Sequence, residues 1–509
     1  MANEDTAHQD RNDGSEDTSD AMSNELEEPL LPQPALFPAS PSDDNLYDGL
    51  PSLTTSLLIK SLYFLDALGS STWGRFSAIY YNLHGLNSQQ VGLIGCLATA
   101  IPTVSQVLWG LVADRFQARK RVWLFTKSIS TVILLLLAVP WVYRSFGRIL
   151  AAVLGAQLFV SGGILDAFTL DLLGTRNKMY YGRYRLYASI SWGLGSIVMG
   201  WVTDHFGNFE LNFALFGLLA FLMVILVAWK VPDVAAVPLE EEDCDEDEDR
   251  AFIEAESTPG LEDDNATDHH IMELVCLALR PRVVVFIWEV VIMGAAMATV
   301  EELLFLYMVN DLQASNLLCG LSVGVNVVFE LPIFWYASVC MRLLGHDGMF
   351  LVAMFCFFVR VFGYTMLTPA TRWLILPLEI LHGVTFACFW VVTTDVSKLL
   401  VHQTKGAFWR TAIPSSVQML YSAVGVSLGS VLGGWAMHKY GSVAMYTWTA
   451  SMVGTMWVVH LGGSMLSRLL QNGASFVPDY APLSNRADVP EEAGGRENPA
   501  DVPEVGEGL

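Results

Sequence analysis

Ionisable side chains recur inside stretches of this chain that are otherwise apolar, and several are of types that carry protons. Glu379 and His382 lie three residues apart, which sets both on one face of a helix. A desolvated carboxyl can load and release a proton near neutrality, and imidazole titrates there already. Arg360, in a neighbouring apolar run, is a fixed cation that can set which proton state is favoured, and Glu330 is a further buried-region carboxyl. For a polar solute, Asp166 and Asp171 can accept from hydroxyls, Arg185 can donate and Trp192 offers a stacking face. Trp73 and Arg75 add a second aromatic–cation pair. Asp66, Arg183, Glu289, Glu301, Glu302 and Asp395 complete the set. A charge in hydrocarbon costs several kcal/mol unless it is paired or faces water, so this set calls for a polar cavity between helices. Structural ion pairs account for some of these residues in the alternative reading. Asp171, Asp395, Arg183 and Arg185, close to span ends, can equally be interfacial, and the tryptophans can be packing groups.

Other chemistries find no support. Nothing matches the Gly-x-x-x-x-Gly-Lys-Ser/Thr loop that cradles nucleotide phosphates, which argues against an ATP-driven pump. No nucleophile constellation, metal-ligand cluster or cofactor motif is present, so neither an enzyme nor a metal site is expected. The seven cysteines are scattered singly and read as small apolar packers. No nucleic-acid partner is expected.

The elements that must hold these groups are membrane helices. Of 509 residues, 53% are apolar, and runs of about 20 apolar residues recur, each long enough to cross a bilayer core. The expected fold is an all-α integral membrane protein with twelve spans. They fall near 55–81, 89–113, 122–143, 148–172, 184–204 and 210–230, then 282–309, 317–341, 348–368, 373–399, 408–437 and 442–467. The domains expected are a six-helix half over 51–231 and another over 280–468. The net charge of −24 lies elsewhere: residues 1–50, 232–279 and 469–509 hold 38 of the 52 acids and 4 of the 28 basic residues. Acidic, aromatic-poor segments of this kind are expected to stay disordered.

Lys and Arg mark one side of the bundle. Arg115, Arg119, Lys120 and Arg121 follow the second span, Arg176, Lys178 and Arg183 the fourth, and Lys398, Lys405 and Arg410 the tenth. The connections 83–90, 204–210 and 310–316 are bare of them, with Arg144 and Arg148 as mild exceptions on that side. Both termini and the linker are therefore expected on the cytosolic side, with no cleavable signal peptide. The sequon at Asn265 then stays unmodified, the acidic Leu30-Leu31 pair reads as a chance match to a sorting signal, and His269-His270 as part of a solvated linker. Which membrane holds the chain is left open.

A repeat fixes the register of the halves. Leu194-Gly195-Ser196-Ile197-Val198-Met199-Gly200-Trp201 returns as Leu428-Gly429-Ser430-Val431-Leu432-Gly433-Gly434-Trp435, in the fifth and eleventh spans. Small residues four or five apart read as sites of close helix packing, and duplicated halves are usual in secondary transporters.

Gly110-Leu111-Val112-Ala113-Asp114-Arg115, followed by Arg119-Lys120-Arg121, joins the second and third spans. The glycine suits close helix approach, and the aspartate suits a charge latch that breaks and reforms as the halves rock, so Gly110, Asp114 and Arg115 are gating candidates. At these residues the chain resembles the major facilitator superfamily, with Gln117 in place of a second glycine. Tyr181-Gly182-Arg183-Tyr184-Arg185-Leu186, Glu379-Ile380-Leu381-His382-Gly383, Tyr63-Phe64-Leu65 and Glu330-Leu331-Pro332 resemble its lactose-permease and nucleoside–proton-symporter branch, MFS_1-like. The resemblance covers about residues 55–467 and implies that Glu330, Arg360, His382 and Glu379 couple protons to solute. It also implies that Asp166, Asp171, Arg185 and Trp192 hold a sugar-like solute. In this chain the glutamate precedes the histidine, the reverse of the permease order. The function implied is proton-coupled symport of a sugar or nucleoside by a monomer in a lipid bilayer, with the proton gradient in place of any cofactor. Passive uniport, and a non-transporting receptor or scaffold on the same fold, remain open.

Overall fold

The computed structural model describes residues 51–177, 180–232, 277–402 and 409–470. Apart from a few flanking positions, the acidic tails and linker lie outside the described residues, as do Asn265, Leu30-Leu31 and His269-His270. Among the described residues the longer helices group into twelve stretches. They are α1 (Leu53–Trp73 and Phe76–Leu83), α2 (Ser88–Arg115), α3 (Arg119–Leu135), α4 (Phe146–Gln157 and Gly162–Asn177), α5 (Tyr181–Phe206) and α6 (Glu210–Lys230). Then come α7 (Pro281–Asn310), α8 (Asn316–Trp335), α9 (Ala337–Tyr364), α10 (Ile375–His402), α11 (Trp409–Met419, Leu420–Val426 and Ser427–Tyr440) and α12 (Ser442–Leu470). Nine of them are long and apolar enough to cross a membrane by length and composition. The other three are α1, interrupted at Gly74, α5, which opens on Arg183 and Arg185, and α12, diluted by Ser, Thr and Gly. No strand occurs among the described residues.

Three departures from smooth helices matter for the site, and a hydropathy pattern does not register them. α1 breaks at Gly74, where φ is 7° and ψ −115°, and a Cβ there would lie 2.6 Å from the Trp192 ring. α4 breaks between Gln157 and Gly162, and the freed carbonyls find donors on neighbouring helices. Ser105 on α2 donates to the Gln157 carbonyl at 3.0 Å, Trp109 to that of Leu158 at 2.8 Å, and Ser130 on α3 to that of Ala156 at 3.0 Å. Broken helices are tolerated at membrane depth when neighbouring side chains satisfy the backbone in this way. In α11, Leu420–Val426 widens into a π-helical turn packed on α7, where the Tyr421 carbonyl would lie 2.7 Å from a Cβ on Gly294.

The turn between α2 and α3 keeps the shape that glycine would favour, without glycine. Gln117 has φ +48°, in the left-handed region. Gly345, within the α9 stretch, has φ +65° and bends the chain at the corresponding point of the second half. An L-residue in that region carries about 1–2 kcal/mol of backbone strain.

Each copy of the repeated element forms a seam between the halves, and the two seams mirror each other. A Cβ on Gly320 of α8 would lie 2.2 Å from the Ser196 carbonyl of α5, and one on Gly92 of α2 would lie 2.2 Å from the Ser430 carbonyl of α11. One turn further, a Cβ on Gly200 would lie 2.3 Å from the Asn316 carbonyl and one on Gly434 2.6 Å from that of Ser88. Backbones therefore touch directly at both crossings, where only small residues fit. Both seams run to the end of the bundle that carries the α1–α2, α5–α6 and α7–α8 connections. There Asn310 also donates to Asn82 across the halves at 3.2 Å, and Phe76 meets Phe305 edge to face.

Candidate solute and proton site

Beneath the seams lies a cavity of about 630 Å³ bounded by both halves. The break in α1 places Trp73 and Arg75 on its wall, and Trp192 of α5 closes over Gly74 beside them. Trp73 is held by Tyr80, Tyr81 and Phe213, whose ring centroids lie 4.8–5.7 Å away. From the second half come Glu301 and Glu302 of α7, Asn326 and Glu330 of α8, and His382 of α10.

A chain of charged groups runs from this cavity into the second half. Arg360 of α9 is fully buried and pairs with Glu379 through Nη2 to Oε2 at 3.1 Å and Nε to Oε1 at 3.3 Å. The Tyr364 hydroxyl bonds both partners, and its backbone carbonyl accepts from the Tyr307 hydroxyl at 2.7 Å. The remaining guanidinium nitrogen, Nη1, donates to His382 Nδ1. Because Arg can only donate, that ring nitrogen accepts, which leaves Nε2 as the hydrogen-bearing atom of a neutral ring. Nε2 points to Glu301 Oε1 at 3.7 Å, and the same carboxylate meets Arg75 Nη2 at 3.5 Å. Glu379, Arg360, His382, Glu301 and Arg75 thus form one relay from a sealed interior to an accessible wall. Removing one partner of a buried pair strands the other charge, so such an arrangement holds together only as a unit.

Of the residues expected to couple protons, Arg360, Glu379 and His382 are in contact, while Glu330 stands on the cavity wall without touching them. Of those expected to hold solute, Trp73, Arg75 and Trp192 line the cavity. Asp166, Asp171 and Arg185 do not. Asp166 accepts from the Tyr63 hydroxyl at 2.7 Å, and Arg185 reaches the Tyr181 hydroxyl at 3.4 Å, beyond the α4 break towards the basic end. Asp171 belongs with the loop charges: Arg119 joins it at 3.1 Å and Asp114 at 2.9 Å. The Asp114 partner is therefore Arg119, while Arg115 is exposed. Gly110 has nothing within 4 Å of a Cβ position, so close helix approach does not explain it in this conformation. On the other half, His346 and Asp395 pair at 2.7 Å, between the starts and ends of α9 and α10 that correspond to those of α3 and α4.

Two residues of this arrangement have no role assigned from the sequence. Glu301 is the hub of the relay, and Tyr364 braces its buried end. The Glu301-Glu302 doublet, set between Val300 and Leu303 in an apolar run, was the available signal for the first. Tyr364 gave none, since one tyrosine near a span end is unremarkable in composition.

Comparison with known proteins agrees with this architecture. The model of the MFS_1 like family matches residues 57–448. Maltose permease of Geobacillus stearothermophilus is 24% identical over 73% of this chain and 85% of its own length. The Homo sapiens major facilitator superfamily domain-containing protein 6-like is 24% identical over 33% of this chain, and the match spans only 27% of that relative's length. Among solved structures, the nucleoside transporter NupG superposes with a TM-score of 0.62 at 14% identity, covering 81% of this chain and 99% of its own. A peptide transporter POT in complex with sulfate gives 0.57 at 14% identity, over 85% and 99%. The family and fold are those of membrane transporters rather than enzymes. This chain belongs to the MFS_1 like family and has the multi-pass membrane fold of the major facilitator superfamily.

Proposed function

We propose that this chain is a secondary transporter that carries a small polar solute, of the sugar or nucleoside kind, together with protons by alternating access. The observation that carries the reading is the relay Glu379–Arg360–His382–Glu301–Arg75, which links a buried carboxylate to a cavity between the halves. Proton arrival at Glu301 or His382 would weaken the links that hold the relay in its present arrangement, and solute in the cavity would compete for Arg75. Each event biases the same element, which is what coupling requires. The seams close the end opposite the basic α2–α3 connection; with that connection cytosolic, as its Arg and Lys residues favour, this conformation is shut to the other side.

A second reading has an observation of its own. Glu379 is already bonded by both Arg360 and Tyr364, an arrangement equally suited to a permanent structural pair in a facilitative uniporter. Reconstitution into proteoliposomes separates the two. With a pH gradient imposed, sugars and nucleosides are screened for uphill uptake by the unmodified chain and by Glu379→Gln. Symport predicts accumulation that dissipates with the gradient and is lost in the variant. Equilibration without accumulation in both would establish uniport instead.

A further inference from the structure

The charges on the cavity wall do not balance. Glu301, Glu302 and Glu330 face it with Arg75 as their arginine, because the Arg360 charge is already matched by Glu379. Glu301 has Arg75 and His382 beside it, but neither Glu302 nor Glu330 makes a hydrogen bond or a close ion pair among the described residues. A second observation is independent of the acids. Asn326 is 3% exposed and lines the cavity, and its side-chain oxygen has no hydrogen-bond donor. A buried acceptor left without a donor is costly, which points to a group that arrives from outside. Arg75 Nη1 is likewise buried without an acceptor. Around these polar atoms stand the rings of Trp73, Tyr81, Trp192 and Phe386.

From this geometry we infer that the solute, within the sugar or nucleoside kind proposed above, is an organic cation: a protonated amine on a skeleton that also bears a hydroxyl or carbonyl oxygen. The ammonium donates to Glu302, Glu330 and the Asn326 oxygen, which are all acceptors. The skeleton's oxygen accepts from Arg75 Nη1. The aromatic walls favour a cation as well, since ring faces attract positive charge. A neutral sugar or nucleoside would leave two carboxylates without a counter-charge. A zwitterion would bring its carboxylate against three others with one arginine to offset them. The inference rests on the transport reading only in taking this cavity as the solute site.

The test is isothermal titration of the purified full-length chain with four compounds, at a pH where the amines are protonated. Glucosamine is compared with glucose, and tyramine with tyrosine. The amine of each pair is expected to bind about tenfold tighter or more, the ratio that one net charge-assisted hydrogen bond provides. Replacing Glu302→Gln and Glu330→Gln together should bring both ratios below about threefold. If that variant does not fold, the ratios in the unmodified chain decide alone, with Asn326→Ala as the second variant expected to weaken the amines. Equal or weaker binding of the amines than of their partners, or no binding of either amine, overturns the inference. Flux is measured separately in proteoliposomes. Amines that bind without crossing would defeat the transport reading and leave this one standing, whereas neutral sugars that cross with amines excluded would do the reverse.

Discussion

Substituting Gly92→Val on one seam should open the other seam as well. A Cβ at Gly92 would lie 2.2 Å from the Ser430 carbonyl and 3.2 Å from its carbon, where ordinary contact begins at 3.4 Å. The obstacle is backbone on both sides, so rotamer changes cannot relieve it, and α2 and α11 must part by roughly 1 Å. Overpacking of this kind costs about 1–3 kcal/mol in the tightly closed state and nothing once the helices have separated. A bias of that size shifts the closed-to-open ratio by about 5–150-fold. Cys319, on α8 at the opposite seam, is a native reporter because it is fully buried beside Gly320. With the other cysteines replaced by serine, its labelling by a membrane-impermeant maleimide should accelerate in Gly92→Val by a factor in that range. The reporter touches neither Gly92 nor α11, so acceleration requires the halves to move as units. Unchanged labelling of Cys319, in protein that remains monodisperse, would refute the reasoning.

Three further outcomes follow from single contacts. Asp204 of α5 accepts from the backbone N–H groups of Asn316 and Leu317 at 2.9 and 2.7 Å, capping α8 from the other half. Asp204→Ala should remove about 1–2 kcal/mol from the closed state and also speed Cys319 labelling, whereas a cap with no part in closure would leave the rate alone. Arg360→Ala strands Glu379 in a fully buried position and should lower stability by about 3–5 kcal/mol in thermal unfolding, with much of the loss recovered in Arg360→Met combined with Glu379→Gln. No recovery would mean that the pair's neighbours, not its charges, set the cost. Gln117→Gly should be neutral or stabilising and Gln117→Val should cost about 1–2 kcal/mol, read from melting temperatures, because the position has φ +48°. Equal tolerance of valine would contradict a left-handed turn there.

The helical stretches were legible in the sequence because long apolar runs are a one-dimensional signal. Glu379 and His382 share a face by their spacing alone, and the structure brings Arg360 to both. Asp166 and Asp171, expected at the solute, lie away from the cavity, beyond the interruption of α4. The carbonyls freed there are satisfied by Ser105, Trp109 and Ser130 on two other helices. No local pattern in 158–161 announces the interruption. The role of Glu301 likewise needed coordinates, since its partners come from α1 and α10, more than 80 residues away in opposite directions along the chain. The repeated Leu-Gly-Ser element announced close packing, but not what it packs against: each copy meets the opposite half, through Gly320 and Gly92.

The central claim is that solute and proton move together, and proton movement caused by solute tests it most directly. Proteoliposomes carrying a trapped pH-sensitive dye, with no gradient imposed, receive the solute identified by the uptake screen. Coupled transport predicts acidification of the lumen in proportion to solute uptake, and its loss in Glu379→Gln while solute binding persists. Solute entering at full rate with no change in lumenal pH would contradict the account.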